Sequence, residues 1–212
     1  MTAMISEETR ARDAVIRVGK SLFDRRLTFG STGNISVRLD DGRTVMTPTN
    51  ASLGDLDPAR LSVLDGDGAH VSGDAPTKEA LLHRCMYCER AGAGAVVHLH
   101  STHAVAVSVL ADVDPDDVLP PLTAYYVMRV GSLPLVPYYP PGDPALALAV
   151  QAKAAKHHAV LLANHGPVVW GRSLLDAQYA SEELEETARL HLLLGERTVR
   201  PLTPDQAAAL RK

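Results

Sequence analysis

The sequence contains no run of 18 apolar residues, so it encodes no helix long enough to cross a membrane. Nor does it carry an excess of basic charge: 21 Lys and Arg against 25 Asp and Glu leave a formal net charge of −4, with no basic stripe or polybasic tail. That balance argues against nucleic acid and anionic membrane surfaces as partners. Cysteine is nearly absent, only Cys85 and Cys88. A CxxC pair can be redox-active or half of a zinc site, but no second pair completes it. Reduced thiols in a cytoplasmic protein are therefore the expectation. The first twelve residues place Glu7, Glu8, Arg10 and Arg12 ahead of any apolar run, unlike a secretory signal. There is also no internal repeat and no low-complexity linker.

What is present is ordinary globular composition: 212 residues, 46% hydrophobic and 22% charged. One domain spanning residues 1–212 is expected, burying roughly 70% of its unfolded surface without disulfide staples. Ser6 before Glu7 and Glu8 predicts a helix start, and Ala11, Ala14, Val15, Val18 and Leu22 keep helical spacing to about Leu27. Two hairpins follow. Ile35–Leu39 and Thr44–Thr47 flank Asp40-Asp41-Gly42; Leu61–Leu64 and Ala69–Ser72 flank Asp65-Gly66-Asp67-Gly68. Thr77 is the expected cap of a helix from Lys78 to about Arg90. Ala95–His100 reads as a strand, Thr102–Leu110 as a helix, and Leu133–Tyr138 as an edge strand broken by Pro134 and Pro137. A helix over Pro144–Lys156, strands at Ala159–Ala163 and Val168–Trp170, a long helix from Ser173 to Leu194 and a short one after Thr203 complete the chain. Helices flanking a mostly antiparallel, strand-rich middle predict an α/β sandwich without a regular βαβ repeat.

The chemistry concentrates on histidine. His98 and His100 lie two apart on the strand candidate, so both rings project to one face. Two buried imidazoles are costly unless their nitrogens are used, and a divalent cation uses them well. Taken alone, the pair is explained more plainly by core histidines satisfied by backbone carbonyls. Two further features weigh toward a metal. Glu79 opens the preceding helix, and His165 sits in the Asn164-His165-Gly166-Pro167 turn, where glycine and proline could aim its ring. The remaining histidines (70, 83, 103, 157, 158 and 191) read as surface or core residues. A second cluster suits an anion: Gly33-Asn34, Thr47-Pro48-Thr49-Asn50 and Thr77-Lys78 put small, hydroxyl and amide donors on turns beside one cation.

Together these residues resemble the class II aldolase/adducin family from Gly30 to about Leu202. The anchors are Gly33-Asn34-Ile35-Ser36, Thr47-Pro48-Thr49, Glu79, His98-Leu99-His100 and Asn164-His165-Gly166. The stretches His98–Thr102, Tyr126–Arg129, Val136–Tyr139 and Glu182–Ala188 look more like the family's 3-oxo-tetronate 4-phosphate decarboxylase branch than its fuculose-phosphate aldolases. By itself the acidic run Glu182–Glu186 reads as a solvated helix face.

The resemblance implies an α/β/α sandwich with a central, mostly antiparallel sheet, in a homo-oligomer, a tetramer by preference, with sites at subunit borders. It implies zinc on His98, His100 and His165, with Glu79 as displaceable fourth ligand and proton carrier; manganese and cobalt are also compatible with such ligands. Phosphate would be held around Asn34, Thr49, Asn50, Thr77 and Lys78. Asn50 stands where aldolase relatives commonly have glycine, but asparagine tolerates left-handed backbone. Tyr125 occupies roughly the place of a catalytic tyrosine, with a structural role equally open, and Arg129 is either a clamp for a substrate carboxylate or a surface ion pair. The implied reaction is metal-assisted loss of CO2 from a small phosphorylated sugar acid. The alternatives are a sugar-phosphate aldolase, a pentose-phosphate 4-epimerase and a non-catalytic adducin-like module, the last disfavoured by the intact histidine set.

Overall fold

Ser6 opens the structure as its sequence predicts, its side chain accepting from the Thr9 amide to cap α1 (Glu7–Asp24). The computed structural model describes residues 5–211. Two hairpins follow, β1 (Asn34–Arg38) with β2 (Thr44–Met46) and β3 (Ser62–Leu64) with β4 (His70–Ser72). Then come α2 (Ala80–Glu89), β5 (Ala95–His98), α3 (Thr102–Ser108), α4 (Ala124–Arg129) and β6 (Leu135–Val136). The chain continues through α5 (Pro144–Ala154), β7 (Ala159–Leu162), β8 (Gly166–Gly171), α6 (Leu174–Leu194) and α7 (Pro204–Leu210).

The described strands form one eight-stranded sheet in the order β4-β3-β2-β1-β5-β8-β7-β6. Every pairing is antiparallel except β6 with β7, so the sheet is mixed but mostly antiparallel, as expected. The period of two sorts its residues between layers. Ile35, Val97 and Leu99 pack on Val15 and Leu22 of α1 and on Leu174 and Ala177 of α6. Leu161 and Val169 continue that layer against α3, α4 and α7. On the opposite face Val96, Val160 and Val168 meet Leu82 and Met86 of α2 and Leu146 and Val150 of α5. The α/β/α sandwich follows from these two buried faces.

Several details depart from the sequence reading. The strand that carries the first histidine ends at His98, which leaves His100 beyond the ladder. Glu79, not Thr77, is the residue before α2, and it makes no side-chain cap bond; the Thr77 hydroxyl instead accepts from the Glu79 amide at 3.3 Å. Helix α4 was not expected. The acidic run on α6 is more than a solvated face. Glu185 accepts from the His103 and Ala104 amides at the start of α3, Glu183 from the Thr123 hydroxyl, and Glu182 from Arg25. Those carboxylates tie α6 to three other segments.

Gly166 is where packing and backbone conformation coincide. Its φ is +151°, and a Cβ there would lie 2.2 Å from the Leu99 carbonyl oxygen. Gly166→Ala is therefore expected to destabilise the protein by about 1–3 kcal/mol or more through overpacking, read as a lowered urea midpoint. An unchanged midpoint would mean that β8 can move off β5 at no cost.

Candidate metal centre

The β5–β8 pairing builds the centre. His98 is opposite Val168 in the ladder, and its Nδ1 lies 2.8 Å from the Pro167 carbonyl. A carbonyl only accepts, so Nδ1 carries the proton and Nε2 presents a bare lone pair. His100 follows just past the strand end. His165 enters from the β7–β8 turn, where Asn164 takes a left-handed φ of +57°. The three rings meet edge to face with centroids 4.7–4.9 Å apart. His98 Nε2 is 3.1 Å from His100 Nε2 and 3.3 Å from His165 Nε2.

Glu79 closes the group from the start of α2. Its Oε2 is 3.4 Å from His98 Nε2 and its Oε1 3.3 Å from His165 Nε2. One donor atom from each of the four residues falls within a 4.8 Å span. Ligands at the zinc–nitrogen bond length would be separated by about 3.3–3.4 Å along a tetrahedral edge. Glu79 Oε1 is buried without a hydrogen-bond partner. Bare nitrogen lone pairs facing one another and an orphaned carboxylate oxygen gain nothing from each other, but all suit one divalent cation. The residues present fit such an ion.

The electrostatics agree. Burial holds the His100 imidazole down to about 3 and His165 to about 4, with the neighbouring His98 acting in the same direction, so both rings are neutral ligands at pH 7. Burial pushes the Glu79 carboxyl up, but His98, the Asn34 amide and His165 outweigh it and bring the group to about 2. Beside the cluster opens a cleft of about 470 Å³, walled by Phe29 and Tyr138 with His100, Asn164 and His165. The sequence reading did not single out Phe29 or Tyr138.

The anion segments also meet. Thr49 N donates to Ala75 O at 3.0 Å and Thr77 N to Thr47 O at 3.3 Å, laying the Thr47–Asn50 turn against the residues that precede Glu79. Asn50 adopts a φ of +57°, the conformation that glycine would supply. Lys78 is exposed. Asn34 is turned elsewhere: buried, it donates from Nδ2 to Glu79 Oε2 at 2.8 Å and accepts from His83 at Oδ1. The structure does not bring Tyr125 or Arg129 to the imidazole cluster. Both line a separate groove of about 870 Å³ with Arg25 and Glu182; Tyr125 is 62% exposed, and Arg129 stacks over Tyr179. His83, read as an ordinary core or surface residue, is in contact with the site. Its signal was the four-residue spacing from Glu79, which puts both on one side of a helix.

Three imidazoles and a carboxylate at the end of the β5–β8 seam of an α/β/α sandwich form a candidate divalent-metal centre that fits the class II aldolase type. The chain belongs to the class II aldolase and adducin family: residues 13–192 match the model of the "Class II Aldolase and Adducin N-terminal domain". A relative from Cupriavidus necator, named 3-oxo-tetronate 4-phosphate decarboxylase, is 52% identical over 190 residues, covering 90% of this chain and 87% of its own. The crystal structure of YgbL from Escherichia coli, described by the alternatives aldolase, epimerase and decarboxylase, superposes with a TM-score of 0.95 at 47% identity, over 98% of this chain and 100% of that one. An L-fuculose 1-phosphate aldolase gives a TM-score of 0.84 at 27% identity, over 99% and 97%.

Metal-stripped protein is expected to lose stability as pH falls. His100 and His165 take up protons only on unfolding between their ordinary value of 6.5 and about 4, and Glu79 adds to the loss from 4.5 toward about 2. Urea midpoints measured from pH 7.5 down to 4 check this, and a midpoint that rises on acidification would contradict it.

Proposed function

We propose that this chain is a metal-dependent carboxy-lyase that converts a 3-oxo-tetronate 4-phosphate to dihydroxyacetone phosphate and CO2, with zinc as its resident metal. The observation that carries this reading is the convergence of His98, His100, His165 and Glu79 in a chain that is 52% identical to a relative of that name. Such a substrate is a β-keto acid with carboxylate, hydroxyl-bearing carbon, ketone and phosphate-bearing carbon in succession. When CO2 leaves, the electron pair of the broken bond moves toward the ketone oxygen, and the hydroxyl-bearing carbon must then gain a proton. A divalent cation, when bound, supplies Lewis-acid stabilisation of that developing charge.

The protein's own residues do the rest. His98, His100 and His165 hold the cation as neutral imidazoles, and the Pro167 carbonyl fixes the His98 ring. Glu79, 8% exposed, ionised at rest and facing the cluster, relays a proton taken up from solvent water to the hydroxyl-bearing carbon and serves as displaceable ligand. Thr49, Asn50, Thr77 and Lys78 take the phosphate through turn donors and one cation. Phe29 and Tyr138 wall the cleft beside the reacting carbons. Tyr125 and Arg129 act across a subunit border: with Arg25, Tyr179 and Glu182 they line a groove that fits a partner copy in a homo-oligomer, by family likeness a tetramer. Two free cysteines fit a cytoplasmic setting.

Aldol cleavage is the second reading, favoured by the TM-score of 0.84 to the L-fuculose 1-phosphate aldolase. It needs the same cation and the same electron sink, with an aldehyde leaving in place of CO2. Incubation with the D- and L-series 3-oxo-tetronate 4-phosphates, before and after chelation, separates them. Metal-dependent release of CO2 with dihydroxyacetone phosphate is expected from one stereoisomer. No CO2, with cleavage of a deoxyketose phosphate to an aldehyde, establishes the aldolase. Glu79→Gln is expected to cut turnover on the order of 100-fold while metal is retained. Near-normal turnover would assign the proton to another group.

A further inference from the structure

Behind Glu79, between the sheet and α2, lies a row of buried polar side chains that the reaction does not touch. Asn34 and Ser36 are two apart on β1 and face α2 from the same side of the sheet as His98, which pairs directly with Asn34. From α2, His83 and Tyr87 come down onto them. Tyr87 OH is 2.7 Å from Ser36 Oγ, Ser36 Oγ is 2.7 Å from His83 Nδ1, and His83 Nε2 bonds Asn34 Oδ1. Asn34 Nδ2 then reaches Glu79 Oε2. Ser36 is 0% and His83 1% exposed, and neither contributes to the group of metal-ligating atoms.

The direction of the row is determined by its last member. An ionised carboxylate only accepts, so Asn34 must turn its Nδ2 toward Glu79 and its Oδ1 toward His83. Oδ1 also only accepts, so His83 carries its proton on Nε2, and its bare Nδ1 requires a donor. Ser36 is that donor, and Tyr87 in turn donates to Ser36. Were the row reversed, Asn34 would present an oxygen to the Glu79 carboxylate and repel it. An amide that is free to flip would leave the carboxylate free to wander; a buried network with every partner matched holds one arrangement.

We infer that Ser36 and His83 are positioning residues, a one-way hydrogen-bond relay that locks the Asn34 amide and so holds the Glu79 carboxylate against the three imidazoles, with Tyr87 an accessory donor behind it. This rests on the reading of Glu79 as the group that moves the proton. Ser36 is the member to test, because it supplies the donor that the bare His83 Nδ1 requires; the tautomer itself is set by Asn34 Oδ1. Tyr87 supports Ser36 but does not determine it.

The test uses zinc-loaded protein with nitrogen-15-labelled histidine. In the wild type, His83 is expected in the Nε2–H tautomer. Ser36→Ala is expected to keep the Nε2–H tautomer, move the His83 Nδ1 resonance to that of an unbonded nitrogen and lower kcat by about 10-fold to 100-fold, as the loss of partners behind a metal site does, with KM and metal content unchanged. Ser36→Thr, which restores the hydroxyl, is expected to recover both signals. Tyr87→Phe should keep the tautomer, with kcat within about threefold, well short of that loss. A wild-type His83 in the Nδ1–H form overturns the relay, whether or not Ser36→Ala folds. So does wild-type kcat in Ser36→Ala, or a lowered kcat with the Nδ1 resonance unmoved, which would mark a merely structural role. Failure of the decarboxylase reading is seen separately, as absence of CO2 from the wild type; the variants are then scored on aldehyde release, and the tautomer result stands as before.

Discussion

The antiparallel seam between β5 and β8 is the constraint on which the rest depends. One carbonyl, that of Pro167, accepts from both the Leu99 amide and the His98 ring. The first bond extends the β5–β8 pairing one residue past the end of β5, and the second orients a ring of the candidate metal centre. The orientation of a ligand is thus written into backbone pairing, and strand register and ligand geometry cannot vary independently. Gly166 permits this closeness because no side chain separates β8 from the Leu99–His100 backbone. His165 then arrives from a turn only a few residues long, so the third ring is tied to the same seam.

Around that seam the two faces of the sheet differ in kind. One is closed by α1 and α6 with purely apolar contacts at Ile35, Val97 and Leu99. The other is apolar at Val96 and Val168 but polar at Asn34, Ser36 and His98. A polar layer under a helix is costly unless every group finds a partner. Here the partners are found along a line that ends at Glu79. The one orphan in the line, Glu79 Oε1, falls where a cation would lie.

Much of this was legible in the residues. Ser6 and Ser173 marked helix starts, and Leu194 a helix end, that the structure keeps, and the Asp-Gly steps marked both hairpins. The imidazole set could be assembled from the HxH spacing and the turn at His165. Other features rest on contacts that spacing does not reveal. Helix α4 is only six residues, of which Tyr125, Tyr126 and Val127 are weak helix formers, and it is held by the Thr123 cap and by burial of Tyr126 and Val127. Asn34 looked like a phosphate donor because glycine precedes it; only packing with α2 shows its amide committed to Glu79 and His83. Tyr125 and Arg129 lie on that same unforeseen helix, which turns them into a groove away from the imidazoles.

The cleft beside the imidazoles is walled from two sources. His100 and His165 stand on or next to the seam, whereas Phe29 and Tyr138 come from connecting segments that no ladder restrains. Loops of that sort accept replacement far more readily than paired strands. Replacement of those walls would therefore change the chain length that the cleft admits while leaving the imidazole and carboxylate cluster beneath as it is.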